Sequence, residues 1–415
     1  MEKLAFEPRI RRMKAYLKVF CKWTLCALII GLSCGAVGAG FHHAVELAGE
    51  GFSHFNWMLY LLPLCGLAIV FLYRAAGVTK DRGTNLVLAK LRDGEPASFK
   101  AAPLIFVATA LTHLGGGSSG REGAALQIGA GIASLVSRVF KFRGKNARVV
   151  TMCGMAGLFS AVFGTPVTAA VFSVEVCTVG SINYTALYPC LLSSLAAWEI
   201  SHLLGGHAVR FTLASLPAVG VASTAQVVIL TLLCALCSIL FLTILHGIEH
   251  LMQRISNPYI RVVVGGVAIV ALTLLLGTRD YNGAGMGVAE RAIAGSAVPI
   301  AFLMKMIFTG LTIGSGFKGG EIVPTFFIGA TFGCVVGPLL GMDPGFAAAI
   351  GMVVLFCCVV NCPLASVLLA VELFSGEGLT FFALACGLSY VMSGYYGLYG
   401  EQRIVFSKLF DEPKD

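Results

Sequence analysis

The chain has 415 residues, of which 57% are hydrophobic and 12% charged, with a formal net charge of +8 and a mean hydropathy of +0.86. A soluble chain carries roughly 25% charged residues. The composition therefore excludes an ordinary soluble domain and indicates a polytopic membrane protein. Loop lysines and arginines account for the net charge, and no nucleic-acid partner is implied.

The first residues, M-E-K-L-A-F-E-P-R-I-R-R-M-K, are charged rather than apolar, so no cleavable signal peptide is expected. The basic segment 1–18 reads as a cytoplasmic tail by the positive-inside rule. Apolar spans follow at Val19 to Phe41 and Trp57 to Ala76, then a polar interruption from Val78 to Leu86. A run from Ala101 to Leu114 leads into T-H-L-G-G-G-S-S-G-R-E-G-A-A-L-Q-I-G (Thr112 to Gly129), and that segment ends near Val139. After the basic loop Lys141 to Arg148 come a broken pair, Val149 to Phe163 and Pro166 to Val179, and a span from Ala186 to Leu204. A long transmembrane helix is expected from Ala225 to His246. Beyond Arg261 there is a span to Leu275, a short segment from Met286 to Ala294, and a run from Val298 to Ile313. It ends in a second Gly-rich break, I-G-S-G-F-K-G-G-E-I-V-P (Ile313 to Pro324). Several segments are too short to cross about 30 Å of hydrocarbon. Such breaks survive at membrane depth only where protein covers them or where they line a cavity.

The Gly-rich stretch organises this pattern. Its glycines leave amide N–H groups uncovered, and a helix beginning near Glu122 would point its N-terminal dipole at an approaching anion. Glu122 places a carboxylate at the same spot. A carboxylate in a membrane segment costs about 2.5–3.5 kcal/mol on insertion scales, so it needs a partner or a purpose. Deprotonated, it would occupy the amide-lined site; protonated, it would vacate it. The structural alternative is an ion-pair partner for Arg121.

An internal repeat supports the reading. Gly154 to Glu175 (G-M-A-G-L-F-S-A-V-F-G-T-P-V-T-A-A-V-F-S-V-E) resembles Gly351 to Glu372 (G-M-V-V-L-F-C-C-V-V-N-C-P-L-A-S-V-L-L-A-V-E). At a similar offset the break before Ile128-Gly129-Ala130 matches the break before Ile328-Gly329-Ala330. Two halves interrupted at corresponding positions point to a transporter whose site lies at their interface. A duplicated scaffold without transport is the alternative from another class. The chain divides into a first half, 19–210, a second half, 220–398, and a C-terminal segment, 399–415, with no additional soluble domain expected.

These residues resemble the CLC family of anion channels and anion/proton antiporters over nearly the whole membrane chain. G-R-E-G (Gly120 to Gly123) looks like the family's gating-glutamate motif, with Ala124 where a Pro is usual. G-G-E-I-V-P (Gly319 to Pro324) is similar to its second anion motif, with Ile322 in place of Phe. G-L-Y (Gly397 to Tyr399) falls where the family places a central tyrosine. G-G-S-S-G-R-E-G together with G-F-K-G-G-E (Gly316 to Glu321) resembles the bacterial fluoride/proton antiporter branch. The chloride branch's serine loop has its counterpart in R-G-T-N-L (Arg82 to Leu86), where Thr84 stands nearest the serine and still offers a hydroxyl. The family's internal proton glutamate aligns with Val176, beside Glu175. The paired nucleotide-binding modules of some relatives are not expected here.

The resemblance implies an all-α fold with two inverted halves and broken, re-entrant helices. It implies a homodimer in the inner (plasma) membrane, with both termini cytoplasmic and the lipid bilayer as partner. The function it implies is fluoride export in exchange for protons, with chloride/proton antiport or a passive chloride channel as the alternative. Glu122 is the expected gating and proton-carrying residue and Glu321 the second acidic residue. Thr84, Asn85, Gly123, Glu321, Ile322 and Tyr399 are the expected anion-binding positions. No cofactor and no metal are expected, nor is an enzyme.

Each position also has a structural reading. Glu321 could be a simple N-terminal helix charge, and Lys318 its partner or an interfacial residue. Tyr399 offers a phenolic donor, or belongs to an interfacial cluster with Tyr395 and Tyr396. Thr84 and Asn85 could donate to an ion or cap the helix that follows. Glu175 and Glu372, equivalent in the repeat, read as shared scaffolding. His42, His43, His113, His202 and His207 read as packed or interfacial, and Glu199 as interfacial. The 14 cysteines read as small apolar packers. Pro166 to Val174 and Pro363 to Val371 offer small apolar faces for a dimer or for contacts within the chain. No phosphate-binding G-K-[ST] ending is present. G-G-S-S-G (Gly116 to Gly120) matches a hydrolase elbow literally, but a membrane helix rather than a strand precedes Ser118.

Overall fold

The computed structural model describes residues 2–78, 82–95 and 97–408, with residues 2–11 traced by their backbone alone. The side chains of the basic start up to residue 11, residues 79–81 of the polar interruption and residues 409–415 of the C-terminal segment lie outside the described residues. The first half contains α1 (Glu2–His54), α2 (Leu62–Ala75), α3 (Thr84–Asp93), α4 (Ala101–Leu114), α5 (Glu122–Val139), α6 (Lys145–Phe163), α7 (Pro166–Glu175) and α8 (Tyr184–Leu203). The second contains α9 (Val221–Gln253), α10 (Pro258–Leu276), α11 (Met286–Ile293), α12 (Ala301–Ser315), α13 (Ile322–Val336), α14 (Pro344–Val360), α15 (Pro363–Leu373) and α16 (Leu379–Met392). Two short strands, β1 (Thr178–Val179) and β2 (Arg403–Ile404), pair in parallel.

The expected spans are present, with shifted ends. The first is a single 53-residue helix rather than a span beginning at Val19, because nothing between Arg12 and Val19 breaks it. Trp57 lies in a 3-10 turn, Asn56–Leu61, that runs into α2. Six helices among the described residues are long and apolar enough to cross a membrane, while α4, α7, α12, α14, α15 and α16 are apolar and shorter. The breaks seen in the sequence are therefore real breaks between helices. In α5, α6, α13 and α14 most side chains are buried on every face, which is the pattern of helices surrounded by other helices.

The repeat is visible in local chemistry. α6 ends at Gly164 with φ +70, and α14 ends at the equivalent Asn361 with φ +56. Two residues later a proline opens the next helix in each half, Pro166 in α7 and Pro363 in α15. α7 and α15 then exchange caps. Glu175 at the end of α7 accepts the N–H groups of Leu364 (3.2 Å) and Ala365 (2.9 Å) at the start of α15. Glu372 in α15 accepts those of Val167 (3.0 Å) and Thr168 (2.8 Å) at the start of α7. These are the helix-end hydrogen bonds expected of a scaffolding pair. They also show Pro166 to Val174 and Pro363 to Val371 in contact within the chain.

Candidate functional site

The two Gly-rich breaks meet head to head. Gly120 and Gly320 form an antiparallel bridge, the N–H of each donating to the carbonyl of the other at 2.6 and 2.8 Å. α5 and α13 therefore begin side by side, from opposite halves. Ser118 adds to the seam: its N–H donates to Thr312 Oγ1 at 2.9 Å, and its hydroxyl lies 3.1 Å from that of Thr309. That places Ser118 in a tie between the halves, and α4, a helix, precedes it.

Glu122, the first residue of α5, is 0% exposed. One carboxylate oxygen accepts the N–H of Arg121 at 3.1 Å, and the other accepts the N–H of Val323 at 3.3 Å. The carboxylate thus bridges the two helix starts, taking helix-start amides of the kind that bind anions. A Cβ on Gly320 would stand 3.1 Å from Glu122 Oε2 and 2.6 Å from the Gly123 nitrogen. Only glycine lets the carboxylate and the second backbone approach this closely. The Arg121 guanidinium does not pair with Glu122. It donates to His42 Nδ1 at 2.7 Å and to the Val162 carbonyl at 3.3 Å.

Two cavities flank the carboxylate, and Glu122 borders neither. The first, of about 650 Å³, is lined by Thr84, Asn85, Gln127, Glu249, Glu321 and Tyr399. The second, of about 630 Å³, is lined by His42, Glu46, His113, Arg121, Arg279 and Val323. The two cavities share no lining residue. Phe52, near the end of α1, borders the second cavity. Phe20, stacked on Tyr188 at 5.3 Å, lies roughly 45 Å away along the same helix. β1, which precedes α8 and its Tyr188, pairs with β2, and Glu401 just before β2 borders the first cavity.

Four of the expected positions, Thr84, Asn85, Glu321 and Tyr399, line the first cavity, while Gly123 and Ile322 line neither. Thr84 is the first residue of α3, where Gly83 holds the cap position without a side-chain bond. The Thr84 hydroxyl instead reaches the Gly123 carbonyl at 3.4 Å. Asn85 accepts the Glu401 N–H through Oδ1 at 3.3 Å and so ties α3 to the segment that carries Tyr399. Tyr399 is 6% exposed and borders the first cavity, well inside the protein. Ile322 is buried at the first turn of α13, and Glu321 precedes it facing the first cavity. Lys318 donates its N–H to Thr112 Oγ1 at 3.2 Å, and its ammonium lies 4.7 Å over the Tyr73 ring.

Three further residues, His42, Gln127 and Lys305, hold the backbone and side chains around the site without marked sequence motifs. His42 anchors Arg121. Gln127 donates to the Gly123 carbonyl at 3.0 Å, one turn into α5. Lys305, in α12, is 0% exposed; its ammonium donates to the carbonyls of Tyr281 (3.2 Å) and Gly283 (2.8 Å) and sits 5.1 Å over the Phe327 ring. A charged residue inside an apolar run was the available signal for Lys305. It pins the loop after α10, whose Asn282 in turn donates to the Gly116 carbonyl at 2.9 Å.

Residues 64–394 match the family described as voltage gated chloride channel. The chain belongs to the CLC family. It is thereby a member of a family of anion channels and anion/proton exchangers, not of enzymes. A chloride/fluoride channel protein of Pseudomonas syringae pv. tomato is 33% identical over 400 residues, covering 94% of this chain and 88% of its own. The crystal structure of a CLC-type fluoride/proton antiporter has a TM-score of 0.89 at 31% identity, over 93% of this chain and 98% of that one. An H(+)/Cl(−) exchange transporter of Vibrio cholerae is 24% identical over 379 residues, 84% of this chain and 81% of its own. The fold is therefore the all-α, polytopic CLC fold.

Proposed function

We propose that this CLC protein is a fluoride/proton antiporter that exports fluoride across the plasma membrane. The observation that carries the proposal is the placement of the Glu122 carboxylate. It takes the Arg121 and Val323 amide N–H groups at the seam of the two halves, with one vestibule on each side. An anion and a carboxylate that compete for the same amides cannot occupy the site together. Protonation removes the carboxylate's charge and releases those amides. Proton binding and anion binding are then exclusive at one site, which is the minimum that exchange requires.

Glu321 extends the path on the first-cavity side, where Thr84, Asn85 and Tyr399 line the anion's route, and Gly123 and Ile322 stand at the helix starts beside Glu122. Gly123 and Ile322 contribute helix-start backbone rather than side-chain chemistry. Asn85 keeps its amide group for the ion, because its oxygen is engaged by Glu401. Thr84 stands where the chloride branch carries its serine, and its hydroxyl lies 3.4 Å from the Gly123 carbonyl. The 31% identical structure, described as a fluoride/proton antiporter, supports fluoride over the chloride alternative. The working form is a homodimer of two-half subunits, 19–210 and 220–398, with both termini cytoplasmic. The first cavity is then the cytoplasmic vestibule.

Purified protein in liposomes loaded with fluoride or chloride tests this, with external pH recorded during efflux. Fluoride efflux with matched proton uptake is expected. Faster chloride than fluoride movement would favour the chloride alternative, and anion efflux without proton movement would favour a channel.

A further inference from the structure

We propose that the end of α5 forms a binding site for the phosphate headgroup of an anionic phospholipid. A cavity of about 920 Å³ opens there, lined by Ser137, Arg138, Lys141, Phe142 and Arg143, with Glu95 as the one carboxylate among its lining residues. Arg138, Lys141 and Arg143 are exposed, and none of them forms an ion pair among the described residues. The Ser137 hydroxyl, on a residue 2% exposed, has no hydrogen-bond partner among the described residues. A buried hydroxyl without a partner is a donor waiting for an acceptor, and three cations around it specify an anionic one.

The backbone supplies a third observation. Lys141 closes α5 with φ +53, its N–H bonded to the Arg138 carbonyl at 3.3 Å and that of Phe142 to the Ser137 carbonyl at 2.8 Å. This is the left-handed position that glycine ordinarily fills after a helix. A lysine there holds a cation at the cavity's rim against the backbone's own preference.

The surroundings select a lipid over a free phosphate. Leu135, Val139 and Phe140 are exposed beside the basic residues, Val139 at 76%. Phe142 is stacked on Phe140 (5.6 Å) and Trp23 (5.7 Å), and the Lys22 ammonium lies 4.4 Å from its ring. An apolar strip continuous with an aromatic and basic rim fits an amphiphile, with acyl chains along α5 and the phosphodiester in the cavity. The site lies on the first-cavity side: Glu95 follows α3, whose Arg92, three residues earlier, pairs at 3.2 Å with Glu401 of the first cavity.

Native mass spectrometry of the purified protein, titrated with phosphatidylglycerol or phosphatidylcholine, tests the site. The wild type is expected to retain phosphatidylglycerol preferentially. Arg138→Gln/Arg143→Gln is expected to weaken that retention by about tenfold while leaving phosphatidylcholine unchanged. Ser137→Ala, which changes no charge, is expected to weaken it severalfold, and Arg254→Gln on the same face to leave it unchanged. Equal retention by wild type and double variant would overturn the proposal, as would an equal loss in Arg254→Gln. Displacement of phosphatidylglycerol by millimolar inorganic phosphate would assign the cavity to a soluble anion and overturn it too. The readout is lipid binding alone, so it is separate from the transport assignment.

Discussion

Gly120 and Gly320 each donate an N–H to the other's carbonyl, and this pair of hydrogen bonds joins the two halves beside Glu122. The antiparallel pairing brings the starts of α5 and α13 together from opposite halves. Glu122 then needs only its own side chain to reach the Val323 amide of the other half.

That geometry predicts the cost of a single methyl group. In Gly320→Ala the new Cβ would meet the Gly123 nitrogen at 2.6 Å and Glu122 Oε2 at 3.1 Å. Overpacking of this kind costs about 1–3 kcal/mol, and transport slowed severalfold or more is expected. Liposome efflux of folded Gly320→Ala checks it; a wild-type rate would mean that the seam tolerates an added carbon.

The exchanged caps predict matched losses of stability. Glu372→Ala strands the N–H groups of Val167 and Thr168, and Glu175→Ala those of Leu364 and Ala365. Hydrogen bonds to a charged group contribute about 1.5–3 kcal/mol each, so either change is expected to lower the unfolding midpoint by several degrees. Thermal unfolding in detergent measures this. A large loss in one variant and none in the other would break the equivalence of the two halves.

His42 predicts a pH effect. Guanidinium has only donors, so His42 Nδ1 accepts from Arg121 and its proton sits on Nε2, facing Glu46 at 3.5 Å. Protonation would remove that acceptor and set an imidazolium against Arg121, with His43 and His207 the other titratable groups nearby. Acidifying the second-cavity side is therefore expected to loosen Arg121, whose N–H holds Glu122. His42→Gln, which can still accept, should keep near-normal flux and flatten this dependence. His42→Leu should lose flux severalfold at every pH. Identical pH profiles for wild type and His42→Gln would remove His42 from the account.

Cysteine burial predicts a labelling count. Of the 14 cysteines only Cys21 is exposed. A maleimide should modify about one thiol in native protein and all of them after unfolding, as intact mass would record. Fast native labelling of Cys357 or Cys358, both 0% exposed, would contradict the packing.

The sequence carried the breaks because Gly-rich stretches and short apolar runs are local signals. It carried the equivalence of Glu175 and Glu372 because the repeat aligns them. It did not carry which residue holds Arg121, since His42 lies 79 residues away and nothing in H-H marks a partner. Lys305 is hard to see in the sequence for a related reason: one cation barely moves the hydropathy of an apolar run. Its carbonyl acceptors come from a loop 22 and 24 residues earlier. Thr84 read equally well as a cap or a donor, and only the fold shows Gly83 in the cap position.

On the proposed mechanism the Glu122 carboxylate and the transported anion compete for the same amides. The most direct measurement is fluoride efflux from liposomes with simultaneous proton uptake, comparing wild type with Glu122→Gln. Coupled fluoride and proton movement is expected in the wild type, and loss of proton coupling in the variant, whose neutral amide cannot carry the proton. Coupled exchange that persists in Glu122→Gln would contradict that mechanism.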